Sequence, residues 1–395
     1  MIQRRLAAHL VFALIVGFPA LSSAQTSANP GVRQAEFRTL PAIVLSNGKL
    51  ELTVLPEGGA MTSIILSDDP QKLSPLWDRL RVDQEENRPI RATVSTGHFV
   101  CVDGFGPVSQ EERAAGLAMH GEAHLLPWKT LKSERQGNTA VLAQSVDMPI
   151  VGETYSRTIQ MVDGENVVHV RGVLRNNMGF DRPVNWAEHA TIGSPFLERG
   201  VTVVDMSANR ALTKTYDASQ PNRRRLASNQ EFQWPMAPLV KGGTVDLRAA
   251  PVTDVASGDH TGHLMSPGGP HAWVTALNPK QRLILGYIYK TDEFPWMQTW
   301  ENFPTTGMMA RGLEFGTQAF DVPRRQVFMQ GKLFDQQLFR LLPAKSEIQA
   351  TYLMFLARAP EGFQKVDRVT LKDGVITVED QKSKQTITLK ASLGL

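Results

Sequence analysis

Leu50-Glu51-Leu52-Thr53-Val54 alternates apolar and polar side chains, and Pro56-Glu57-Gly58-Gly59 interrupts the pattern before it resumes at Met61. A period of two sends successive side chains to opposite faces of a strand, so the stretch reads as two half-buried strands joined by a turn. The same signal recurs outward from it, at residues 141–148, 155–162, 167–174 and 201–206, and again at 272–277, 283–289, 326–333 and 348–355. Near the C-terminus Val369-Thr370-Leu371 and Val375-Ile376-Thr377-Val378 flank Lys372-Asp373-Gly374, and a last strand follows at 386–389. Asp-Gly supplies the positive φ that a tight hairpin needs. Helical periodicity is confined to short stretches at 70–84 and 110–115. Many short strands separated by Gly and Pro turns predict an all-β chain, a large antiparallel β-sandwich or barrel with few short helices. Residues 26–39 read as a mobile lead-in and the polar stretch 207–233 as a long excursion.

The N-terminus reads as a targeting segment. Arg4 and Arg5 precede an apolar run at 6–18, broken mainly by His9, and Leu21-Ser22-Ser23-Ala24 offers small residues where a signal peptidase cuts. Residues 1–24 are therefore expected to be a signal peptide and 25–395 a single β-sandwich domain of 371 residues (395 minus 24), periplasmic or secreted. The alternative is an N-terminal membrane anchor, but the run is short for a bilayer. No Cys follows it, which argues against a lipid anchor, and no other stretch reaches membrane-spanning length.

Removing Arg4 and Arg5 takes the formal charge from +3 to +1. Such a balance gives no electrostatic case for nucleic acid, which needs a concentrated basic surface. Arg223-Arg224-Arg225, the one dense basic cluster, reads as a solvated loop. Cys101 is the single cysteine, so no intrachain disulfide forms, and it reads as a small buried apolar residue rather than a nucleophile.

Four segments set ionisable residues among Gly, Pro and Trp. They are Met119-His120-Gly121-Glu122-Ala123-His124, Trp186-Ala187-Glu188-His189-Ala190-Thr191-Ile192-Gly193, Gly258-Asp259-His260 and Gly312-Leu313-Glu314-Phe315-Gly316-Thr317. Glu314 alternates with Leu313 and Phe315, so it faces away from their core layer, towards either solvent or a polar cavity. His189 reads either as a functional imidazole or as a hydrogen-bonded core histidine. Asp259 after Gly258 also suits a turn. Trp128, Trp296 and Trp300 suit either core packing or stacking on a sugar ring. His120 with His124, or Glu122 with His124, would make a metal pair on a helix, but Gly121 and Pro127 argue against one, so no metal is expected.

Together with Leu45-Ser46-Asn47-Gly48 and the Val54-Leu55-Pro56-Glu57-Gly58-Gly59 turn, these segments resemble the aldose 1-epimerase family of the galactose mutarotase-like superfamily. They keep the family's order, roughly 70, 70 and 55 residues apart, over about residues 43–360. The resemblance implies the mutarotase-like supersandwich and sugar-anomer interconversion without a cofactor. Glu314 would be the base at the anomeric hydroxyl, His189 the acid at the ring oxygen, His120 its assistant, and Asp259 a ligand of sugar hydroxyls. Glu122, His124 and Glu188 exceed the family pattern and are further candidates for sugar contacts, with Trp296 and Trp300. Family members carry an Arg before the first histidine, but residues 97–106 have none, so Arg113 or Arg311 is the candidate in its place. The expected partner is a small sugar or the end of a glycan. A binding protein without catalysis, or a lyase or hydrolase on a larger glycan, are the alternatives.

Overall fold

The computed structural model describes residues 31–216, 224–252, 257–266 and 268–395, so the expected signal segment lies outside it. Among the described residues two antiparallel sheets dominate. The larger runs in space through Gly31–Phe37, Leu40–Ser46, Leu50–Val54, Met61–Leu66, His98–Val102, Trp186–Gly193, Ala310–Gly316, Trp296–Asn302, His260–Met265 and Ala208–Thr213, ending in three short strands from Glu231 to Asp246. The second runs through Val203–Met206, His271–Asn278, Leu283–Lys290, Glu347–Arg358, Val167–Asn176, Glu153–Val162, Thr139–Met148 and Lys129–Gln136.

The main core lies where these sheets face each other. Leu52, Val100, Trp186, Leu313 and Phe315 meet Tyr155, Leu285, Tyr287, Tyr289 and Tyr352 there. The second sheet is also covered behind, where Ile284, Ile288 and Phe355 pack against Val369, Ile376 and Val378 of a C-terminal three-stranded sheet. Strand Leu283–Lys290 is consequently buried along almost its whole length, which is why its sequence reads as a continuous apolar run.

The two turn motifs tie the sheets together. Asn47 donates through its side chain to Val162 O and Glu165 O, while its Oδ1 accepts from the Lys49 and Leu50 amides. Gly59, at φ 67°, lies against the Trp128 ring so closely that a Cβ would stand 2.4 Å from it, and its carbonyl accepts from Arg157 at 2.6 Å.

Some expectations change. Residues 326–333 are not one strand: a helix spans Arg324–Gln330, Gly331 ends it, and only Lys332–Leu333 is extended. A short apolar run does not separate the two periods; Val327 alone of the helix is buried, in a cluster with Trp296, Ala319 and Leu338. Helices form at Arg79–Glu85, capped by Asp78, and at Gln110–Ala114, with Ser109 and Glu112 in a capping box. The lead-in is ordered from Gly31, where it pairs with Leu40–Ser46. The supposed excursion begins and ends in paired strands, Ala208–Thr213 and Glu231–Gln233. Arg225 is no solvated loop residue: it bridges the carboxylates of Asp259 and Glu301. Arg224 stacks over Tyr216 at 4.1 Å, and Arg223 lies outside the described residues.

Candidate active site

Strand Trp186–Gly193 sits between His98–Val102 and Ala310–Gly316, with His189 in register with Phe99 on one side and Glu314 on the other. Trp186 and Ala190 point into the main core, while Ala187 packs with Phe99, Cys101 and Phe105 on the opposite face. The period of two therefore carries His189 and Glu314 out to that second face together.

There His189 Nε2 stands 3.3 Å from Glu314 Oε1. His189 is 7% exposed and Glu314 2%, so the pair is nearly dry. The imidazole stacks on Phe99, centroid to centroid 4.3 Å, and its Nδ1 lies 3.2 Å from Thr191 Oγ1. Burial holds its pKa down at about 3 and pushes the Glu314 carboxyl well above the usual carboxylate range, with the nearby Asp321 charge adding to the rise. Gln298 opposes that rise by donating to Glu314 Oε2 at 2.5 Å, and its own Oε1 accepts from the Asp321 amide at 2.7 Å. Glycine at 312 leaves room for the carboxylate: a Cβ there would stand 2.1 Å from Glu314 Oε1.

His120 stands edge-on to His189 at 4.9 Å, half-buried, with its Nδ1 accepting from the Gly106 amide. It reaches there at φ 67°, a left-handed backbone few side chains adopt. Burial first, and His189 second, push its pKa well below the ordinary value. His124 flanks it at 6.1 Å and packs against Phe99 at 5.3 Å; burial holds it at about 4. The structure thus brings His120, His124, His189 and Glu314 together. Trp300 is half-buried and pairs with His260 in the adjacent strand.

Other expected residues go elsewhere. Glu188, next to His189, faces the core, where it meets His98 at 3.0 Å, Trp186 Nε1 at 3.1 Å and Tyr155. Glu122 is consumed by the Ile150 and Val151 amides and pins a loop. Asp259 is held by Ser257, Arg225 and the Leu226 amide, so its oxygens are already occupied. Arg311 is fully buried and donates to Leu247 O and Arg248 O, away from the pair. Trp296 is buried with its Nε1 on Gln337 O, and Trp128 is buried with its Nε1 on Ala123 O; both are core residues.

Residues the sequence reading passed over take some of these places. Asp321 acts electrostatically on Glu314 and His120, and binds Lys214 through Nζ at 2.5 Å. His260 lies 3.6 Å from Asp321 Oδ2. Asp259 and His260 are neighbours in the chain, but a strand shows only one of two neighbours to a given face. Lys214, which also acts on Glu314 and His120, is a cation near the pair where Arg311 was expected.

Solved structures share this architecture. A provisionally assigned aldose 1-epimerase from Klebsiella pneumoniae subsp. pneumoniae MGH 78578 superposes with a TM-score of 0.59, covering 82% of each chain at 13% identity. A galactose mutarotase-like protein from Clostridium acetobutylicum gives 0.57 over 83% of this chain and 98% of its own, at 12% identity. Another, from Lactobacillus casei ATCC 334, gives 0.53 over 80% and 100%, at 13% identity. The fold is galactose mutarotase-like. At such identities the likeness is one of fold alone, and no family model and no curated protein matches the chain. Within the mutarotase-like fold, the chemistry must be argued from the His189–Glu314 face itself.

Proposed function

We propose that the chain interconverts the anomers of a reducing sugar by acid–base opening of the ring. One observation carries the reading: Glu314 and His189 stand 3.3 Å apart, side by side in register on one nearly dry face. With Glu314 pushed up and His189 pushed down, burial favours the neutral form of each, a protonated carboxyl beside an uncharged imidazole. Moving that proton to His189 makes a carboxylate and an imidazolium, the two groups that ring opening needs. Glu314 takes the proton from the anomeric hydroxyl, the C1–O1 pair forms the aldehyde, and the bond from C1 to the ring oxygen breaks. The ring oxygen takes its proton from His189. After rotation about C1–C2 the same two transfers run backwards on the other face, and the pair ends with the one proton it began with. His120 is placed to assist at the ring oxygen, Trp300 to cover an apolar sugar face, and Lys214 with His260 to meet hydroxyls.

Anomer exchange followed by NMR on a panel of aldoses is the test, with wild type, Glu314→Gln and His189→Ala side by side. The expected losses are about 100-fold or more for each variant. Sugars that bind while exchanging at the buffer rate in wild type would instead indicate a binding protein without catalysis. Export is proposed from residues 1–24 alone, and N-terminal sequencing of the mature protein should begin at Gln25. Among the described residues no helix is long and apolar enough to cross a membrane.

A further inference from the structure

Asp103 is a fully buried carboxylate that the ring-opening chemistry does not use. It stands just past strand His98–Val102, at φ 48°, with its amide donating to Asn185 O at 2.7 Å. Two guanidiniums from distant parts of the chain converge on its Oδ2. Arg182, in strand Arg182–Val184, reaches it at 2.5 Å, and Arg324, at the start of helix Arg324–Gln330, at 2.8 Å. Arg182 also stands 3.4 Å from Glu153 Oε1 and donates to Val151 O, so it is itself held in place. Taking three charges largely out of water is costly, and a turn alone needs no such cluster.

What the turn carries accounts for the cluster. Residues 102–106 lie in backbone contact with His120 and Gly121. Val102 bridges to Gly121, a Cβ on Gly104 would stand 2.9 Å from the Gly121 backbone, and one on Gly121 would stand 2.4 Å from Val102 O. Gly106 then pairs with His120 twice. The His120 amide donates to Gly106 O at 3.0 Å, and the Gly106 amide donates to His120 Nδ1 at 3.1 Å. A backbone amide only donates, so Nδ1 carries no proton and the proton of the neutral ring sits on Nε2. Among the described residues nothing accepts from that Nε2–H, which leaves it for a substrate oxygen.

We propose that Asp103, clamped by Arg182 and Arg324, is a positioning residue for His120, holding the 103–106 turn so that the Gly106 amide fixes the imidazole as an Nε2–H donor to the sugar. The sugar rests on the anomer-exchange reading; the state of the ring rests on the geometry alone. Asp103 meets no reacting group and acts only through the turn.

Two readouts separate this role from plain stability. The first is nitrogen NMR of full-length protein labelled with 15N-histidine, the His120 ring being identified by its loss in His120→Ala. Wild type near neutral pH is expected to show a bare Nδ1 and a protonated Nε2. Asp103→Asn keeps the shape and tolerates the backbone but removes the charge, and its His120 ring is expected to average between the two tautomers. The second readout is a double-mutant cycle on NMR anomer exchange. Asp103→Asn should lower kcat about tenfold in wild type but less than about twofold in His120→Ala, since the clamp has no other route to the sugar. Arg324→Gln leaves Arg182 on the carboxylate; it should act the same way at about threefold, and it carries the test if Asp103→Asn does not fold. A wild-type ring protonated on Nδ1, an unchanged ring in the folded variant, or an equal loss of kcat in both backgrounds each overturns the proposal. If wild type exchanges no sugar above the buffer rate, the anomer-exchange reading fails, and the nitrogen spectra alone decide the clamp.

Discussion

Gln298 and Asp321 set the acidity of Glu314 from opposite sides, and that opposition is measurable. A hydrogen bond to a carboxylate favours its charged form, whereas a second carboxylate nearby disfavours it. Activity should fall on the alkaline side when the pair loses its single proton, so that limb follows Glu314. Gln298→Leu removes a bond that lowers the pKa and should move the limb to higher pH; Asp321→Asn removes a charge that raises it and should move the limb to lower pH. Profiles of kcat/KM for the two variants that shift the same way would refute the assignment. At the acid end, the pKa of about 3 at His189 predicts that activity persists at pH 5. The sequence showed His120, His189 and Glu314 because each stands in a short, oddly composed segment. Gln298 and Asp321 were hidden for a physical reason: an uncharged amide between two tryptophans and an acid in a covering loop carry no local pattern. Only the folded sheet reveals that they are bonded to each other, and that Gln298 is bonded to Glu314.

At the scale of the element, strand Ala310–Gly316 alternates strictly. Leu313 and Phe315 fill the core, while Gly312, Glu314 and Gly316 line the outer face. Gly312→Ala would put a methyl group 2.1 Å from Glu314 Oε1 and force the carboxylate aside. The expected result is a loss of about 100-fold in kcat, the scale of an ångström of misplacement, with stability changed by less than about 1 kcal/mol. Urea unfolding alongside single-turnover exchange separates the two; a destabilised but fully active variant would contradict the role given to Gly312. Alternation made this strand legible from Leu313-Glu314-Phe315 alone. It misled at residues 326–333, where the helix buries only Val327 and the apolar residues fit either period.

At the scale of the whole molecule, the three largest sheets among the described residues stack in layers, and the sequence foretold strands more surely than layers. Nothing local in Val375-Ile376-Thr377-Val378 states that this hairpin closes the back of the second sheet; the packing against Ile284, Ile288 and Phe355 does. Ile376 is fully buried in that layer. Ile376→Ala should cost about 3 kcal/mol by chemical denaturation, the middle of the range for such truncations, and leave kcat unchanged. Loss of activity in the folded variant would mean that the back layer reaches the His189 face. The adjacency of Glu188 and His189 has a consequence of another kind. They are neighbours in the chain but stand on opposite sides of a wall, one bound to His98 in the dry interior and the other facing Glu314. A strand displaced by one residue exchanges its two faces. A single codon inserted between Trp186 and Glu188 would therefore swing a carboxylate to where the imidazole belongs and plant the imidazole in the core. One inserted at Gly179, in an open turn where an added Cβ meets nothing, should be silent. In a library of in-frame insertions this strand should stand out as a gap, in contrast to the turn at Gly179.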